Sequence, residues 1–106
     1  MSVRKKAQMY LQDSGLDNET FDMIAAEDME QIKKWGYQYH SIWEWFGFTT
    51  EEIGELSAAI AEEQFRGGSL DDVIKEAVQI ATLALKMAKM VKEWKEANAA
   101  EEGKDG

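Results

Sequence analysis

The fold of this chain follows from two acidic segments, Glu51-Glu52-Ile53-Gly54-Glu55 and Glu76-Ala77-Val78-Gln79. Residues three apart share one face of an α-helix, so Glu52 projects with Glu55 and Glu76 projects with Gln79. Residues 56–75 lie between the segments and contain Gly67-Gly68, which allows one helix to end and the next to return antiparallel. Two ridges of oxygen atoms would then face each other. A buried carboxylate cluster is tolerated only with a cation or a proton, and oxygen ligands favour a hard divalent ion.

Size and charge restrict the class of protein. The 106 residues include 21 acidic and 12 basic side chains and no cysteine, for a net charge of -9. We expect one small domain that buries about 65% of its unfolded surface. The negative charge opposes binding to polymeric nucleic acid and to anionic membranes. Without cysteine there is neither a disulfide framework nor a thiolate metal site. No secretory signal and no membrane-spanning apolar run is recognised, so we expect a cytoplasmic protein.

Proline is absent and alternating strand patterns are missing, which favours an all-α fold. We predict a single domain over residues 1–98 and a disordered tail over residues 99–106. The predicted helices cover residues 3–13, a segment capped by Asn18 and ended by Gly36, a segment from Ser41 or Thr50 to Arg66, and a segment capped by Ser69 that runs from Leu70 to about Asn98.

The last of these helices is apolar nearly all round from Val73 to Val91. Such a helix is buried on several sides, and a chain of this size cannot surround it with its own residues. The sequence therefore predicts a helical bundle whose four-helix core is completed by dimerisation. It does not separate a homodimer from a tetramer.

Residues 37–48 are rich in aromatic side chains. Two interpretations stay open: the rings fill the core, or one or two of them form a wall on which a nucleobase stacks. The chain's one histidine, His40, lies among them and suits either a hydrogen bond at a helix start or a ligand contact. The rings are Tyr37, Tyr39, Trp43, Trp45, Phe46 and Phe48.

The two acidic segments, read as Glu51 to Leu56 and Lys75 to Gln79, resemble the signature of the MazG-like nucleotide pyrophosphohydrolases. This all-α superfamily includes dimeric dUTPases and phosphoribosyl-ATP pyrophosphatase. The segment from Gln31 to His40 is similar to a Q-x-x-K-W-G-x-Q-x-H pattern of its phage and mobile-element members. Together the resemblance covers about residues 20–92.

The family pattern implies four metal ligands, E-x-x-E followed by E-x-x-D. Glu52, Glu55 and Glu76 match the first three positions as ligands of Mg²⁺, or of Mn²⁺, and Gln79 stands where aspartate is usual. An amide oxygen can still coordinate Mg²⁺ but brings no charge, so we expect weaker affinity and a site that supports one metal more easily than two.

The resemblance implies hydrolysis of a nucleoside triphosphate between the α- and β-phosphates, which gives a monophosphate and pyrophosphate. Glu51 is a candidate for the base that takes a proton from water, or equally an acidic residue of a first helical turn. Lys75 and Lys34 are candidates for phosphate contacts, and either can also be a solvated surface residue. The candidates beside the base are Trp35, Gln38 and His40.

Two other classes of function remain open. One is a catalytically weak nucleotide- or metal-binding regulatory protein, in which Gln79 leaves too poor a site for turnover. The other is a helical dimerisation module whose glutamates are solvated. Against the second, Glu52 and Glu55 alternate with apolar Ile53 and Leu56 in a core-forming helix.

Overall fold

In a computed structural model that describes residues 15–104, the chain forms three α-helices. They are α1 (Asn18–Trp35), α2 (Ile42–Arg66) and α3 (Leu70–Lys104). Every regular element within that range is helical, which confirms the all-α prediction. The helix predicted over residues 3–13 lies outside the described residues. The chain divides into two compact units, Met1–Gln38 and Tyr39–Gly106, so α1 belongs to the first unit and the α2–α3 hairpin to the second.

The sequence analysis predicted Asn18 as the N-cap of α1, and this prediction is wrong. The N-cap is the preceding residue, Asp17. The Thr20 backbone N–H donates to Asp17 Oδ1 at 2.8 Å, which satisfies one of the amides left without a partner in the first turn. Hydrogen bonds with the side chain and with the backbone of Thr20 lower the pKa of the Asp17 carboxyl. At the other end Gly36 adopts a φ of 69° and donates its N–H to the Ile32 carbonyl at 2.7 Å, so the predicted stop is confirmed.

Helix α2 begins directly after Ser41, which resolves the two predicted starts. The Glu44 N–H donates to Ser41 Oγ at 3.1 Å, and the Ser41 N–H donates to Glu44 Oε1 at 3.0 Å. This reciprocal pair is a capping box. The alternative cap, Thr50, is wrong, because its hydroxyl donates to the Phe46 carbonyl at 2.9 Å inside a helix that continues through Gly47.

The turn between α2 and α3 is built by the glycine pair. Gly67 has a φ of 72°, a left-handed conformation that glycine adopts without strain, and the Gly68 N–H donates to the Glu62 carbonyl at 2.8 Å. Ser69 Oγ then accepts the Asp71 N–H at 3.0 Å, in agreement with its predicted capping role. Helix α3 runs back along α2, and the two helices pack against each other.

Helix α3 continues to Lys104, beyond the predicted end near Asn98. Residues 99–104 are therefore helical, and their assignment to a disordered tail is wrong. Alanine, glutamate and lysine dominate this segment, and all three favour the helical backbone.

The core of the hairpin is thin. Among residues 15–103, Trp45 and Leu83 are the buried apolar side chains, exposed by 6% and 8%, and Thr49 and Thr82 are buried beside them. The other aromatic side chains of residues 37–48 lie at the surface of the chain, with Tyr39 exposed by 93% and Trp43 by 77%. Of the aromatic side chains in residues 37–48, Trp45 is therefore the one that fills the core of a single copy of the chain.

No helix within residues 15–104 combines the length and the apolar character that crossing a membrane requires.

Candidate metal centre

Three carboxylates meet across the α2–α3 interface. Glu52 and Glu55 come from consecutive turns of α2 and Glu76 comes from α3, and each offers an oxygen atom within 4.8 Å of the others. Glu52 and Glu76 are half-buried, and Glu55 is exposed. The predicted facing of the two acidic segments is therefore present in the structure, with one side open to solvent at Glu55.

Gln79 lies against the same cluster, one turn after Glu76. In the amide orientation that satisfies both partners, its NH₂ group donates to Glu52 Oε2 at 2.7 Å and to Glu76 Oε2 at 2.9 Å. The opposite orientation would place the amide oxygen against carboxylate oxygens that are acceptors only. Gln79 thus bridges α2 and α3 at the fourth position of the predicted ligand set.

The position of Glu52 in the cluster changes the pKa of its carboxyl group. Burial raises the pKa of its carboxyl to about 7, and the hydrogen bond with Glu76 and the charge of Glu55 add to the increase. Desolvation disfavours the charged form of a carboxyl group, and neighbouring carboxylates disfavour it further. A proton or a cation at this position would relieve the repulsion.

The donor set fits a hard divalent cation. It contains three carboxylates and one amide, hence oxygen ligands only, which suit Mg²⁺, Ca²⁺ and Mn²⁺. To act as a ligand, Gln79 would have to present its amide oxygen in place of the NH₂ group that faces the carboxylates. Mg²⁺ retains several waters when bound to proteins, so a centre open at Glu55 suits it.

Two further candidates flank the cluster in sequence. Glu51 precedes Glu52 on α2 and Lys75 precedes Glu76 on α3, and both are exposed. Each stands about 100° round its helix from the neighbouring ligand. They therefore border the cluster without being part of its oxygen-lined interior.

Three of the remaining candidates belong to the unit that does not contain the cluster. Lys34, Trp35 and Gln38 belong to the first unit, in which the Lys34 ammonium lies 5.5 Å from the centre of the Trp35 ring. Their predicted substrate contacts stay predictions.

His40 belongs to the second unit and has a packing role there. Its ring meets the rings of Trp45 and Phe48 edge-on, with centroids 5.0 Å away in each case, and its Nδ1 lies 3.5 Å from Glu44 Oε2. His40 therefore anchors the start of α2, and Phe48, which it contacts, lies one turn before Glu52.

Sequence reasoning left two starts open for α2 and missed two buried threonines that hold the helices in place. The Ser41-x-x-Glu44 spacing is itself a capping-box signature and could have identified the start of α2. The Thr49 and Thr82 hydroxyls donate to the carbonyls of Trp45 and Val78, each at 2.8 Å. Such bonds let threonine occupy a buried helical position, but no sequence pattern announces them.

Comparisons of the chain with protein-family models, with curated proteins and with solved structures return no match.

Proposed function

We propose that this protein is a Mg²⁺-dependent nucleoside triphosphate pyrophosphohydrolase, active on ribo- or deoxyribonucleotides. One observation carries the proposal: Glu52, Glu55 and Glu76 converge from two helices, with Gln79 at the fourth position. The convergence supports a metal centre because three carboxylates so close are unfavourable without a cation or a proton. The resemblance of the two acidic segments to the MazG-like enzymes supplies the class of substrate.

In the proposed reaction a water attacks the α-phosphorus, the bond from that phosphorus to the oxygen bridging the β-phosphate breaks, and pyrophosphate leaves. Glu52, Glu55 and Glu76 would hold Mg²⁺, with Mn²⁺ as a substitute, and Gln79 would complete or orient the ligand set. The bound ion would supply charge neutralisation at the phosphoryl oxygens. Glu51 would take the proton of the attacking water, from its exposed position beside Glu52.

Binding of the rest of the nucleotide is assigned to positively charged and aromatic side chains. Lys75, which is exposed beside Glu76, and Lys34 would contact phosphate oxygens. The ammonium group of lysine binds phosphate as a point charge. Trp35, Gln38 and His40 would border the base. We further propose that the active form is a homodimer or tetramer, because so few apolar side chains are buried within one copy.

The experiment is pyrophosphate release from a panel of ribo- and deoxyribonucleoside triphosphates, with Mg²⁺, with Mn²⁺ and with a chelator. Glu52→Gln and Glu55→Gln serve as loss-of-function controls. Glu62→Gln is a matched control, because Glu62 is a carboxylate of the same helix that pairs with Arg66. Metal-dependent release that disappears in the first two variants and persists in the third is the expected result. A folded protein that cleaves no nucleotide under any of these conditions would contradict the proposal.

A second candidate, a metal- or nucleotide-binding protein without turnover, is favoured by one specific observation. The Gln79 amide satisfies Glu52 and Glu76 by hydrogen bonds, so the cluster has a neutral partner that an aspartate could not provide. Gln79→Asp distinguishes the candidates, since an enzyme limited by its metal site should gain activity and a binding protein should not.

The third possibility, a dimerisation module with solvated glutamates, is disfavoured by the half-burial of Glu52 and Glu76. An unchanged melting temperature on addition of Mg²⁺ would favour it, because a bound ion stabilises the folded state by mass action.

A further inference from the structure

Two threonines lie in the thin core of the α2–α3 hairpin. Among residues 15–103 four side chains are buried, and two of them carry a hydroxyl group: Thr49 on α2, exposed by 9%, and Thr82 on α3, exposed by 2%. The other two, Trp45 and Leu83, are apolar. We call Thr49 and Thr82 the threonine pair. Both are buried more deeply than any carboxylate of the candidate metal centre.

Helix geometry places the threonine pair one helical turn from that centre. Glu52 and Gln79 contact each other across the interface. Thr49 lies three residues before Glu52 and Thr82 lies three residues after Gln79, so each threonine shares a helix face with its cluster residue. Because α2 and α3 are antiparallel, both steps lead in the same direction along the hairpin. Thr49 and Thr82 therefore lie at one level of the interface.

The step in the opposite direction gives the same register. Three residues after Glu52 comes Glu55, and three residues before Gln79 comes Glu76, and the structure brings an oxygen atom of each within 4.8 Å of the other. The interface thus contains three consecutive polar levels. Exposure increases along them, from the buried threonine pair through half-buried Glu52 to exposed Glu55. The threonine pair is therefore the closed end of the polar levels, and Glu55 is the open end.

The threonine hydroxyls offer oxygen lone pairs to the interior of the hairpin. A hydroxyl group has one proton to donate and two lone pairs that accept. The Thr49 hydroxyl donates to the Trp45 carbonyl, and the Thr82 hydroxyl donates to the Val78 carbonyl, each at 2.8 Å. The proton of each hydroxyl is thus held by its own helix. What each threonine has left to offer at this level is the capacity to accept a hydrogen bond.

The next polar level has the same character. Ionised carboxylates only accept hydrogen bonds, and the Gln79 NH₂ group already donates to Glu52 and Glu76. The polar levels therefore suit a species that donates in several directions, such as a water molecule bound to a divalent cation, whose protons the ion makes more acidic. Three residues of helix rise by about 4.5 Å. One water molecule bridges such a spacing when each of its hydrogen bonds is about 2.8 Å long.

A packing role alone does not account for a hydroxyl group at both positions. Valine has nearly the shape of threonine without the polar group, and burying a hydroxyl group costs free energy that its hydrogen bond only offsets. The bond from a threonine to the carbonyl four residues before it also slightly destabilises a helix. Stability alone therefore favours valine at positions 49 and 82. Hydroxyls on both helices, at the level that adjoins the carboxylates, indicate that their oxygen atoms are used as acceptors.

We infer that the threonine pair forms the closed end of the metal centre, where its oxygen atoms accept hydrogen bonds from water bound to the ion. The inference rests on the metal centre of the proposed function, and it assigns the pair as positioning residues and not as ligands. It also makes the centre selective. Mg²⁺ loses its water reluctantly and keeps several molecules when bound, whereas Ca²⁺ takes more protein oxygens. Acceptors for bound water therefore favour Mg²⁺ over Ca²⁺.

The first test is calorimetric titration of the full chain with Mg²⁺ and with Ca²⁺, in the absence of nucleotide. Thr49→Val and Thr82→Val should each weaken Mg²⁺ binding by about tenfold, and Ca²⁺ binding by less. Thr49→Ser and Thr82→Ser keep the hydroxyl group and should keep the Mg²⁺ affinity. Thr50→Val is the matched control, because the Thr50 hydroxyl donates to the Phe46 carbonyl in the same way but is exposed. It should bind Mg²⁺ as the wild type does.

Melting temperatures measured in a chelator distinguish this role from packing. The two valine variants should melt at or above the wild-type temperature, because they bury no hydroxyl group. The two serine variants should melt at a lower temperature, because the lost methyl group leaves a cavity. Stability and Mg²⁺ affinity should therefore rank the valine and serine variants in opposite orders. If the threonine pair only packed, the Mg²⁺ affinity would follow the stability.

A second test requires no substitution and so does not depend on the folding of a variant. The chain has four threonines, at positions 20, 49, 50 and 82, and their methyl resonances can be followed by NMR during a titration with Mg²⁺. The resonances of Thr49 and Thr82 should shift as the ion binds, and those of Thr20 and Thr50 should stay in place. A shift of the Gln79 side-chain NH₂ resonances without any shift at Thr49 and Thr82 would overturn the inference.

The outcomes distinguish this inference from the proposed function. A wild-type chain that binds no Mg²⁺ overturns both. Mg²⁺ binding that the valine variants leave unchanged, or weaken no more than they weaken Ca²⁺ binding, overturns the inference alone. Mg²⁺ binding that falls in the valine variants as expected, in a chain that hydrolyses no nucleotide, supports the inference and contradicts the proposed function.

Discussion

Replacing Glu52 by glutamine should stabilise the protein without metal and make it less stable than the wild type in Mg²⁺. Burial, the hydrogen bond with Glu76 and the charge of Glu55 raise the pKa of the Glu52 carboxyl from its ordinary value of 4.5 to about 7. Between these values the folded chain holds a proton that the unfolded chain has lost. The stabilisation is therefore complete below pH 4.5 and is lost as the pH rises through about 7.

The magnitude follows from the size of the shift. One pKa unit corresponds to about 1.4 kcal/mol, so the full shift would correspond to roughly 3 kcal/mol. Glu52 is half-buried and partly screened by water, and we therefore expect about 1 to 2 kcal/mol. At pH 8 in a chelator, Glu52→Gln should exceed the wild type in free energy of unfolding by that amount, or by about 4 to 16 °C in melting temperature. At pH 4.5 the difference should be near zero.

Mg²⁺ should reverse the order. An ion present at 100 times its dissociation constant stabilises the folded wild type by about 2.7 kcal/mol, and the variant forfeits most of this gain along with one ligand. The assay is urea denaturation followed by circular dichroism, at pH 4.5 to 8.5, with chelator or with Mg²⁺ and at a fixed protein concentration.

Glu51→Gln is the control, because it removes the same charge from an exposed position one residue away. A Glu52→Gln variant less stable than the wild type at pH 8 without metal would refute the reasoning. So would a control that gains as much stability as Glu52→Gln.

Four other substitutions test three separate features. Gln79→Asp should bind Mg²⁺ more tightly, by about tenfold in calorimetry, and be less stable in chelator, because it replaces a bridging amide by a fourth carboxylate; unchanged affinity would exclude position 79 from the ligand set. Ser41→Ala should lower the free energy of unfolding by about 1 kcal/mol, since it removes half of a capping box; a neutral result would show that water caps the helix equally well. Gly68→Ala should cost about 2 kcal/mol or more, because a Cβ there would lie 2.9 Å from the Glu62 backbone. Gly67→Ala has open space and should cost only about 1 kcal/mol for its left-handed φ, so the reverse order in thermal melts would contradict the turn geometry.

The carboxylate cluster could be predicted from sequence because short-range rules determine it. Residues three apart on a helix share a face, and Gly67-Gly68 makes the turn that brings the second helix back along the first. With the turn located, the only unknown is the register of the two helices, and the facing of Glu52 and Glu76 settles it. Helix periodicity and one turn thus predict which residues share a face and that the helices return antiparallel, and the structure supplies the register.

The surroundings of the cluster could not be predicted in the same way. Between Trp35 and Ile42 the chain is not helical, so no periodicity relates Lys34, Trp35 or Gln38 to the residues of α2. Sequence reasoning could not choose between the two interpretations of the aromatic side chains for a related reason. Hydrophobicity predicts that Trp43 and Phe46 will be covered, but not whether the covering residues come from the same chain, and in one copy both are exposed.

A rotation of about 100° per residue along a helix lets α2 present a carboxylate to α3 and an apolar side chain to a different side of the hairpin. Glu52 faces α3, where its charge is unfavourable without a partner, and Ile53 turns to another side of the hairpin, where its apolar side chain is 52% exposed. Burial and neighbouring carboxylates disfavour the charged form of Glu52, and a covering contact at Ile53 would remove apolar surface from water. Because α2 and α3 are antiparallel and Glu52 contacts Gln79, Ile80 repeats the same offset on the partner helix. The proposed metal binding and the proposed self-association would therefore act on the same hairpin from different sides, and their effects on the free energy of unfolding should add, as expected for sites without shared contacts.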